Sequence, residues 1–248
     1  MKALGLKIIL ALLFFLSLTS NNYSQTFGFG CLGLSGVYGG IAQYNYKADG
    51  LNNSLKILNV GKISSDENLK FEQATGYRIG ANIFRAKFTS VFFSAKGYFQ
   101  FLKEEHSYSQ STVNGIEKNT YRLSLNHWGI GLDIGIPIIT ILDIKLLEGG
   151  ITFFNPEFVS ETSINGNTES NYKINTDKTK IGYYIGGGII LHLVPDYISV
   201  EGTAAYSFYQ IDKMDNGTFA IPVSQVTNKF IEQGGFSAVV QLNIGFPL

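Results

Sequence analysis

The sequence predicts an all-β protein, an eight-stranded antiparallel up-and-down transmembrane β-barrel. Several long stretches alternate apolar with small or polar residues, a period of two that places the two sets on opposite faces of a strand. Residues 236–248 keep this alternation for thirteen positions, about twice a typical soluble strand and enough to cross a bilayer at a tilt. The connections between these stretches alternate long and short, as they do in barrels whose long loops face outside the cell.

The 248 residues divide into a predicted signal peptide at 1–24 and one barrel domain at 25–248. Lys2 and Lys7 precede an apolar run that is too short for a spanning helix, and small or polar residues follow up to Ser24. Cleavage after Ser20 and an uncleaved anchor helix are the alternatives to cleavage after Ser24.

Charge and cysteine content exclude some classes of function. Removal of Lys2 and Lys7 with the signal peptide leaves 17 basic and 19 acidic residues, which argues against a nucleic-acid partner because such proteins carry a basic footprint. Cys31 is the one cysteine, so an internal disulfide is impossible and a buried small hydrophobe is favoured over a reactive thiol.

The first part of the barrel contains one strand, a long connection and a hairpin. Residues 25–46 predict strand one, because their six glycines would destabilise a helix, but the facing of this strand stays open. Residues 47–70 are polar with little periodicity and predict a loop. Strand two is expected to end near Arg85, followed by a tight turn at Ala86 and Lys87 and by strand three.

The next connections are predicted from turn residues and polarity. Residues 104–118 predict a polar connection that turns at Asn114-Gly115, and residues 137–143 predict a short return after strand four. Strand five, about residues 144–159, has mixed parity because it holds both Lys145 and Glu148. A polar loop with Asn165-Gly166, strand six, a tight turn at 194–196, strand seven, a loop at 212–233 and the closing strand complete the prediction.

This pattern resembles the small eight-stranded outer-membrane barrels, the family of the OmpA transmembrane domain and OmpX. The resemblance covers residues 25–248 and is one of pattern; the family's terminal aromatic residue is matched here by Phe246, with Pro247 and Leu248 after it. It implies insertion into the bacterial outer membrane after export, contact with outer-membrane lipid, recognition by the barrel-assembly machinery, and four external loops.

Four charged residues of the barrel strands are predicted to point into the lumen: Arg78, Lys96, Asp133 and Glu201. An eight-stranded barrel has room for little more than side chains, so charges of opposite sign are expected to pair inside it. The pairing predicts a sealed interior, and a narrow or gated pore is the alternative.

The sequence contains no convincing catalytic, cofactor or metal motif. His106 lies in a polar stretch beside Glu104 and Glu105, which invites a lipid A deacylase-like triad, but a solvated loop histidine is favoured. His127 and His192 are expected to make hydrogen bonds inside the barrel, and no histidines have metal-ligand spacing.

We therefore expect a non-enzymatic outer-membrane protein that acts in envelope structure or in surface contact through its external loops at residues 47–70 and 212–233. The alternatives are a porin-like channel for small solutes, a lipid-active enzyme that depends on His106, and a soluble barrel of the lipocalin type. The channel predicts ion conductance, and the enzyme predicts loss of activity in His106→Ala. The soluble barrel predicts a protein that stays in solution without detergent.

Overall fold

A computed structural model describes residues 35–58, 69–88, 90–176, 178–195, 197–212, 214 and 229–245. The predicted signal peptide, Cys31, the first residues of predicted strand one and the last three residues of the chain lie outside this part.

The described part folds into nine antiparallel strands and one helix, and the predicted all-β barrel is confirmed. The elements are β1 (Gly36–Lys47), α1 (Asp49–Leu58), β2 (Gln73–Lys87), β3 (Phe92–Thr112), β4 (Gly115–Ile139), β5 (Leu142–Ile164), β6 (Asn167–Asn175), β7 (Lys180–Val194), β8 (Ile198–Phe208) and β9 (Gln233–Gly245). Eight of the strands pair in the closed order β1-β2-β3-β4-β5-β7-β8-β9-β1, and β6 pairs with β5 outside the ring.

A belt of apolar side chains surrounds one half of the barrel. Its aliphatic members include Ile79, Ile83, Ile130, Leu132, Leu146, Ile185, Ile189, Leu191, Val240, Leu242 and Ile244. Exposed aromatic residues flank it towards the long connections (Tyr77, Phe101, Trp128, Tyr183, Phe208 and Phe236) and towards the short turns (Phe84, Phe88 and Tyr197). From Trp128 to Ile138 a tilted strand rises about 24 Å, close to the apolar band of about 25 Å around membrane barrels.

The parity predicted for the spanning strands agrees with the structure. In β9, Phe236, Val240 and Leu242 are exposed while Val239 and Gln241 are buried, and β3, β4, β7 and β8 alternate in the same way. The sequence left open which residues of strand one face the lumen, and the structure defines them, because β1 buries Tyr38 and Tyr44 and exposes Ile41.

Strand five has mixed parity because it contains a bulge. Opposite β4, the register shifts between the pairs Ile134↔Leu147 and Gly135↔Lys145, and opposite β7 it shifts between Lys145 and Glu148. The extra residue sends Leu146 and Leu147 outward and lets both Lys145 and Glu148 point inward.

The predicted loop at residues 47–70 is partly wrong, because residues 49–58 form α1. Leu51 and Leu55 are four residues apart, so they lie on one helix face, and both are fully buried over the mouth of the barrel. A helix this short is marginal alone, and burial of this face holds it in place.

The predicted polar connection at residues 104–118 is also wrong except for its turn. β3 and β4 continue as a hairpin and turn only at residues 113–114, with Gly115 at φ 122°. The loop around Asn165-Gly166 is likewise a hairpin whose second strand, β6, the sequence did not predict. Likewise, β2 runs through the turn expected at Ala86 and ends at Lys87, after a bulge near Asn82.

Candidate functional site: the filled lumen and the projecting sheet

Five charged side chains form a cluster inside the membrane half of the barrel, which we call the lumen charge cluster: Lys96, Asp133, Lys145, Glu148 and Glu201. All five are buried. The Lys145 Nζ lies 2.6 Å from Glu148 Oε2, 2.6 Å from Glu201 Oε1 and 3.1 Å from Asp133 Oδ2. The Lys96 Nζ lies 2.5 Å from Glu148 Oε1 and 3.1 Å from Asp133 Oδ1. Each ammonium group therefore bridges carboxylates from different strands, and the Lys96 Nζ also lies 3.9 Å from Glu201 Oε1, which joins β3 to β8 across the ring.

Three of the four predicted lumen charges belong to this cluster, and Arg78 does not. The Arg78 guanidinium donates to Gln100 Oε1 at 2.7 Å and lies 4.1 Å from the centre of the Tyr98 ring, nearer the long connections. Sequence reasoning missed Lys145 and Glu148 because the β5 bulge breaks the alternation that identified the others.

The cluster also has the donor set that hard cations prefer, because oxygens of Asp133, Glu148 and Glu201 lie within 4.8 Å of one another. Each of these carboxylates, however, already contacts a lysine ammonium group. The lysines supply the positive charge that the carboxylates require, so the arrangement is an internal salt-bridge network.

A smaller group of charges lies towards the short turns. Asp143 is fully buried, its Oδ2 lies 2.9 Å from His192 Nε2, and Arg85 Nη2 lies 3.4 Å from the same oxygen. These contacts fill that end of the lumen between β2, β5 and β7.

The other half of the barrel is filled by an apolar core. Its buried members include Tyr44, Leu51, Leu55, Phe71, Leu102, Leu123, Leu125, Phe154, Phe158, Ile174, Phe230 and Ile231. The rings of Phe71, Tyr121 and Phe230 pack within 6.2 Å of Phe158 between their centroids. Aromatic packing therefore closes the lumen above the charged layer.

Helix α1 covers this core, and side-chain hydrogen bonds hold its N-terminal half in place. Glu232 accepts hydrogen bonds from the backbone N–H groups of Asp49 at 2.8 Å and Gly50 at 2.7 Å, as an anion at a helix N-terminus does. Asn52 donates to the carbonyl of Phe71 at 3.0 Å and accepts from its N–H at 2.8 Å.

His106 lies on β3 and is partly buried, so the solvated loop histidine predicted from sequence is wrong. Its Nε2 lies 2.8 Å from Glu104 Oε1, and its ring packs edge-on against Phe71 at 4.7 Å. Glu104 also accepts hydrogen bonds from the Tyr46 hydroxyl and, at 2.7 Å, from the N–H of Gln73. These contacts anchor the start of β2 to β3, and no serine, threonine or cysteine is placed against His106 by the contacts of the described chain.

His127 is fully buried in the lumen between the lumen charge cluster and the apolar core. Its Nδ1 lies 3.0 Å from the carbonyl oxygen of Leu125, and its ring packs against Phe154 at 4.4 Å. His127 therefore has a structural role at the boundary between polar and apolar interior.

Three barrel strands continue beyond the apolar belt and form, together with β6, a second structural feature, which we call the projecting sheet: residues 103–112 of β3, 115–126 of β4, 155–164 of β5, and β6. At about 3.4 Å per residue the β3 segment extends about 30 Å. Within the described residues, β3 pairs with β2 only as far as Lys103 and β6 pairs only with β5, so both edges of the sheet lack a strand partner.

Asn165 joins the two hairpin tips. Its N–H donates to the Ile116 carbonyl at 2.9 Å, its Oδ1 accepts from the Ile116 N–H at 3.0 Å, and its Nδ2 donates to the Asn114 carbonyl at 3.1 Å. Beside this junction, Val113 and Ile116 are strongly exposed. The tip is therefore an ordered surface with two exposed apolar side chains.

Charged residues line the outer base of the projecting sheet. Glu105 Oε2 accepts from Lys103 Nζ at 2.6 Å and from Arg122 Nε at 2.8 Å, and these two hydrogen bonds hold the pKa of Glu105 below its ordinary value. Two cations share one carboxylate here, so the group carries a net positive charge.

Among the described residues, no helix has the length and apolar character needed to cross a bilayer.

No protein-family model and no curated protein sequence matches this chain. Solved structures with a similar arrangement of strands include Ail of Yersinia pestis in complex with the heparin analogue sucrose octasulfate (11% identity, 86% of this chain and 97% of that one, TM-score 0.40). Neisserial surface protein A is similar at 10% identity, 85% and 97% coverage and a TM-score of 0.39. The outer membrane protease OmpT of Escherichia coli is similar at 11% identity, 92% and 100% coverage and a TM-score of 0.42.

Proposed function

We propose that this chain is a non-enzymatic integral protein of the bacterial outer membrane, whose sealed barrel supports the projecting sheet for contact with a partner outside the cell. The filled lumen carries the proposal. Salt bridges occupy its membrane half and aromatic packing its other half, with α1 above them. Such an interior favours an anchor over a channel.

The membrane location rests on the polarity of the outer surface. The apolar belt and its flanking aromatic residues have the height and order of a membrane barrel surface. A soluble barrel of the lipocalin type would instead face its apolar side chains inward, and here the interior at belt height holds the lumen charge cluster. Residues 1–24 would direct export of the chain, and the barrel-assembly machinery would insert the barrel into the outer membrane.

Contact with an external partner rests on the projecting sheet. Its hairpin tips are joined by Asn165 rather than free, and Val113 and Ile116 are exposed there. Ordered loops on a rigid scaffold are usual places for binding. A hydrolytic role for His106 is disfavoured, because its contacts with Glu104 and Phe71 are those of a packing residue.

Cysteine labelling in intact cells tests the location and orientation. In a Cys31→Ser background, Val113→Cys at the hairpin tip is expected to react with a membrane-impermeant maleimide, while Tyr197→Cys at a short turn reacts only after the outer membrane is opened. Both side chains are well exposed, so they form a matched pair. Labelling of Tyr197→Cys alone in intact cells would overturn the orientation.

A planar bilayer tests the sealed lumen. Refolded protein, its β content checked by circular dichroism, is expected to leave the bilayer electrically silent. Steady conductance steps that change in Lys96→Met or Asp133→Asn would instead support the porin-like alternative.

A further inference from the structure

The outer surface of the barrel contains a groove that the proposed function does not use. It measures about 800 Å³ and extends across β9, β1, β2, β3 and β4 at the boundary between the apolar belt and the projecting sheet. Pockets of about 300–1,000 Å³ are typical of small-molecule sites. It lies on the outside of the barrel, where the membrane surface would meet it.

The groove changes from polar to apolar along the direction that would cross the membrane surface. Its upper row is formed by outward residues that pair in register across neighbouring strands: Ala238↔Gln43, Gln43↔Thr75, Thr75↔Lys103 and Lys103↔Ser124. The next row towards the belt is apolar, with Val240↔Ile41, Ile41↔Tyr77 and Tyr77↔Phe101. The groove therefore matches a molecule with a polar head and a hydrocarbon tail.

The depth of the groove comes from a gap in the aromatic border. Tyr77 and Phe101 are exposed and line the groove, and the exposed Phe236 precedes Ala238 by two residues on the same face of β9, so Ala238 and Gln43 lie between Phe236 and Tyr77 along the surface. A small side chain at residue 238 leaves room that the larger neighbours enclose.

The charge at the upper end selects the head group. Lys103 lines the groove, and with Arg122 it shares the single carboxylate of Glu105 at 2.6 and 2.8 Å. Two cations against one anion leave a net positive charge beside the polar row, which complements a phosphate.

We propose that this groove holds one anionic phospholipid of the surrounding leaflet, that is, a lipid whose phosphate has no cationic group beside it, with the phosphate near Lys103 and an acyl chain along Ile41, Tyr77 and Val240. The proposal rests on the membrane location argued above and adds a specific lipid site to it. Glu105 would compete with the phosphate for Lys103 and Arg122, so it limits the affinity of the site.

Native mass spectrometry of the refolded protein in detergent, with added dimyristoyl phosphatidylglycerol, tests the proposal. The expected result is one retained lipid per barrel, with weaker retention of the matched phosphatidylcholine. Lys103→Gln is expected to reduce retention about tenfold, since a charged hydrogen bond is lost, and Ala238→Trp to abolish it by filling the groove. Glu105→Gln acts in the opposite direction and is expected to increase retention.

Lys173→Gln is the matched control, because Lys173 forms an exposed 2.6 Å pair with Glu157 away from the groove. Circular dichroism of every variant checks that the barrel is folded. Equal retention by wild type, Lys103→Gln and Ala238→Trp would overturn the lipid site, as would equal binding of the two lipids. Either outcome would leave the cysteine labelling and bilayer results, and hence the proposed function, unaffected.

Discussion

The two halves of the barrel have opposite polarity although the same strands build them. In the membrane half, β4 faces outward with Trp128, Ile130 and Leu132 and inward with His127 and Asp133. In the projecting sheet, β4 has Arg122 on the same outward face and Leu123 and Leu125 on the same inward face.

The inversion shows that strand parity defines the two faces, whereas the surrounding solvent defines which face is apolar. Where lipid surrounds the barrel, apolar side chains face outward and polar side chains pair with each other inside. Where water surrounds it, polar side chains face outward and apolar side chains pack inside. On β3 the change occurs between Gln100 and Leu102 on the inner face and between Phe101 and Lys103 on the outer face. Both faces of β3 therefore change polarity at the same level, which marks the position of the membrane surface.

The largest expected effect comes from the lumen charge cluster. Lys145→Met would leave three buried carboxylates with Lys96 alone, and we expect a loss of about 3–5 kcal/mol in the free energy of unfolding. Urea unfolding in lipid vesicles, followed by the fluorescence of Trp128, the one tryptophan of the chain, measures it. The double variant Lys145→Met/Glu201→Gln should recover more than half, and Lys173→Met at an exposed ion pair should cost below about 1 kcal/mol. A similar small cost for Lys145→Met would contradict the role of the network.

A comparable loss is expected from the apolar core of the other half. Phe158→Ala removes a buried ring that packs against Phe71, Tyr121 and Phe230, and should cost about 3 kcal/mol or more. The damage should remain above the membrane, so limited proteolysis should cut near α1 while the heat-dependent gel shift of a folded barrel persists. Ile116→Ala, at an exposed position, is the control. Loss of the gel shift in Phe158→Ala would show that the membrane half does not stay folded when the apolar core is damaged.

The outer faces provide a direct test of the solvent argument. Leu132→Arg in the middle of the apolar belt should destabilise the barrel by about 2–4 kcal/mol. Ser107→Arg, on the outward face of the projecting sheet, should change stability by no more than about 0.5 kcal/mol. Equal costs in vesicle unfolding experiments would mean that the two faces meet the same solvent.

A smaller and local effect is expected at α1. Glu232→Gln weakens the anionic cap on the N–H groups of Asp49 and Gly50, and should cost about 1 kcal/mol at the helix. Amide hydrogen exchange should become faster in α1 and stay unchanged in the barrel strands. Glu169→Gln on β6 serves as control, and an unchanged α1 would show that burial of Leu51 and Leu55 suffices.

The smallest effect concerns pH at the outer base of the projecting sheet. Because Lys103 and Arg122 lower the pKa of Glu105, the ionised carboxylate stabilises the fold above its ordinary pKa, and this contribution disappears as pH falls through the lowered value. The exposure of the pair keeps it below about 1 kcal/mol. Carboxyl carbon NMR should give a midpoint below that of Glu105 in an Arg122→Gln variant. Coinciding midpoints would mean that Arg122 does not act on this carboxylate.

The spanning strands were predictable because lipid outside and side-chain pairing inside impose a strict alternation over many residues. That alternation placed Lys96, Asp133 and Glu201 in the lumen, where the structure brings them together. It could not identify Lys145 and Glu148 as a pair on one face, since positions three apart face opposite sides of a regular strand and only the bulge turns both side chains inward.

The elements above the membrane were harder to predict, because water on one side permits polar residues and weakens the contrast between faces. Glu104 and His106 occupy inward positions on β3, so residues 104–118 have the composition of a loop. Their strand structure comes from pairing with β4, and α1 comes from burying Leu51 and Leu55.

The sequence by itself determined the all-β class and the closed eight-stranded ring, because these follow from local alternation and turn residues. Only the tertiary structure decided the five-membered charge cluster, the aromatic filling of the upper lumen, the projecting sheet and the groove beside Lys103. Each of these depends on residues far apart in the chain, and their proximity comes from strand register, one bulge and the closure of the ring.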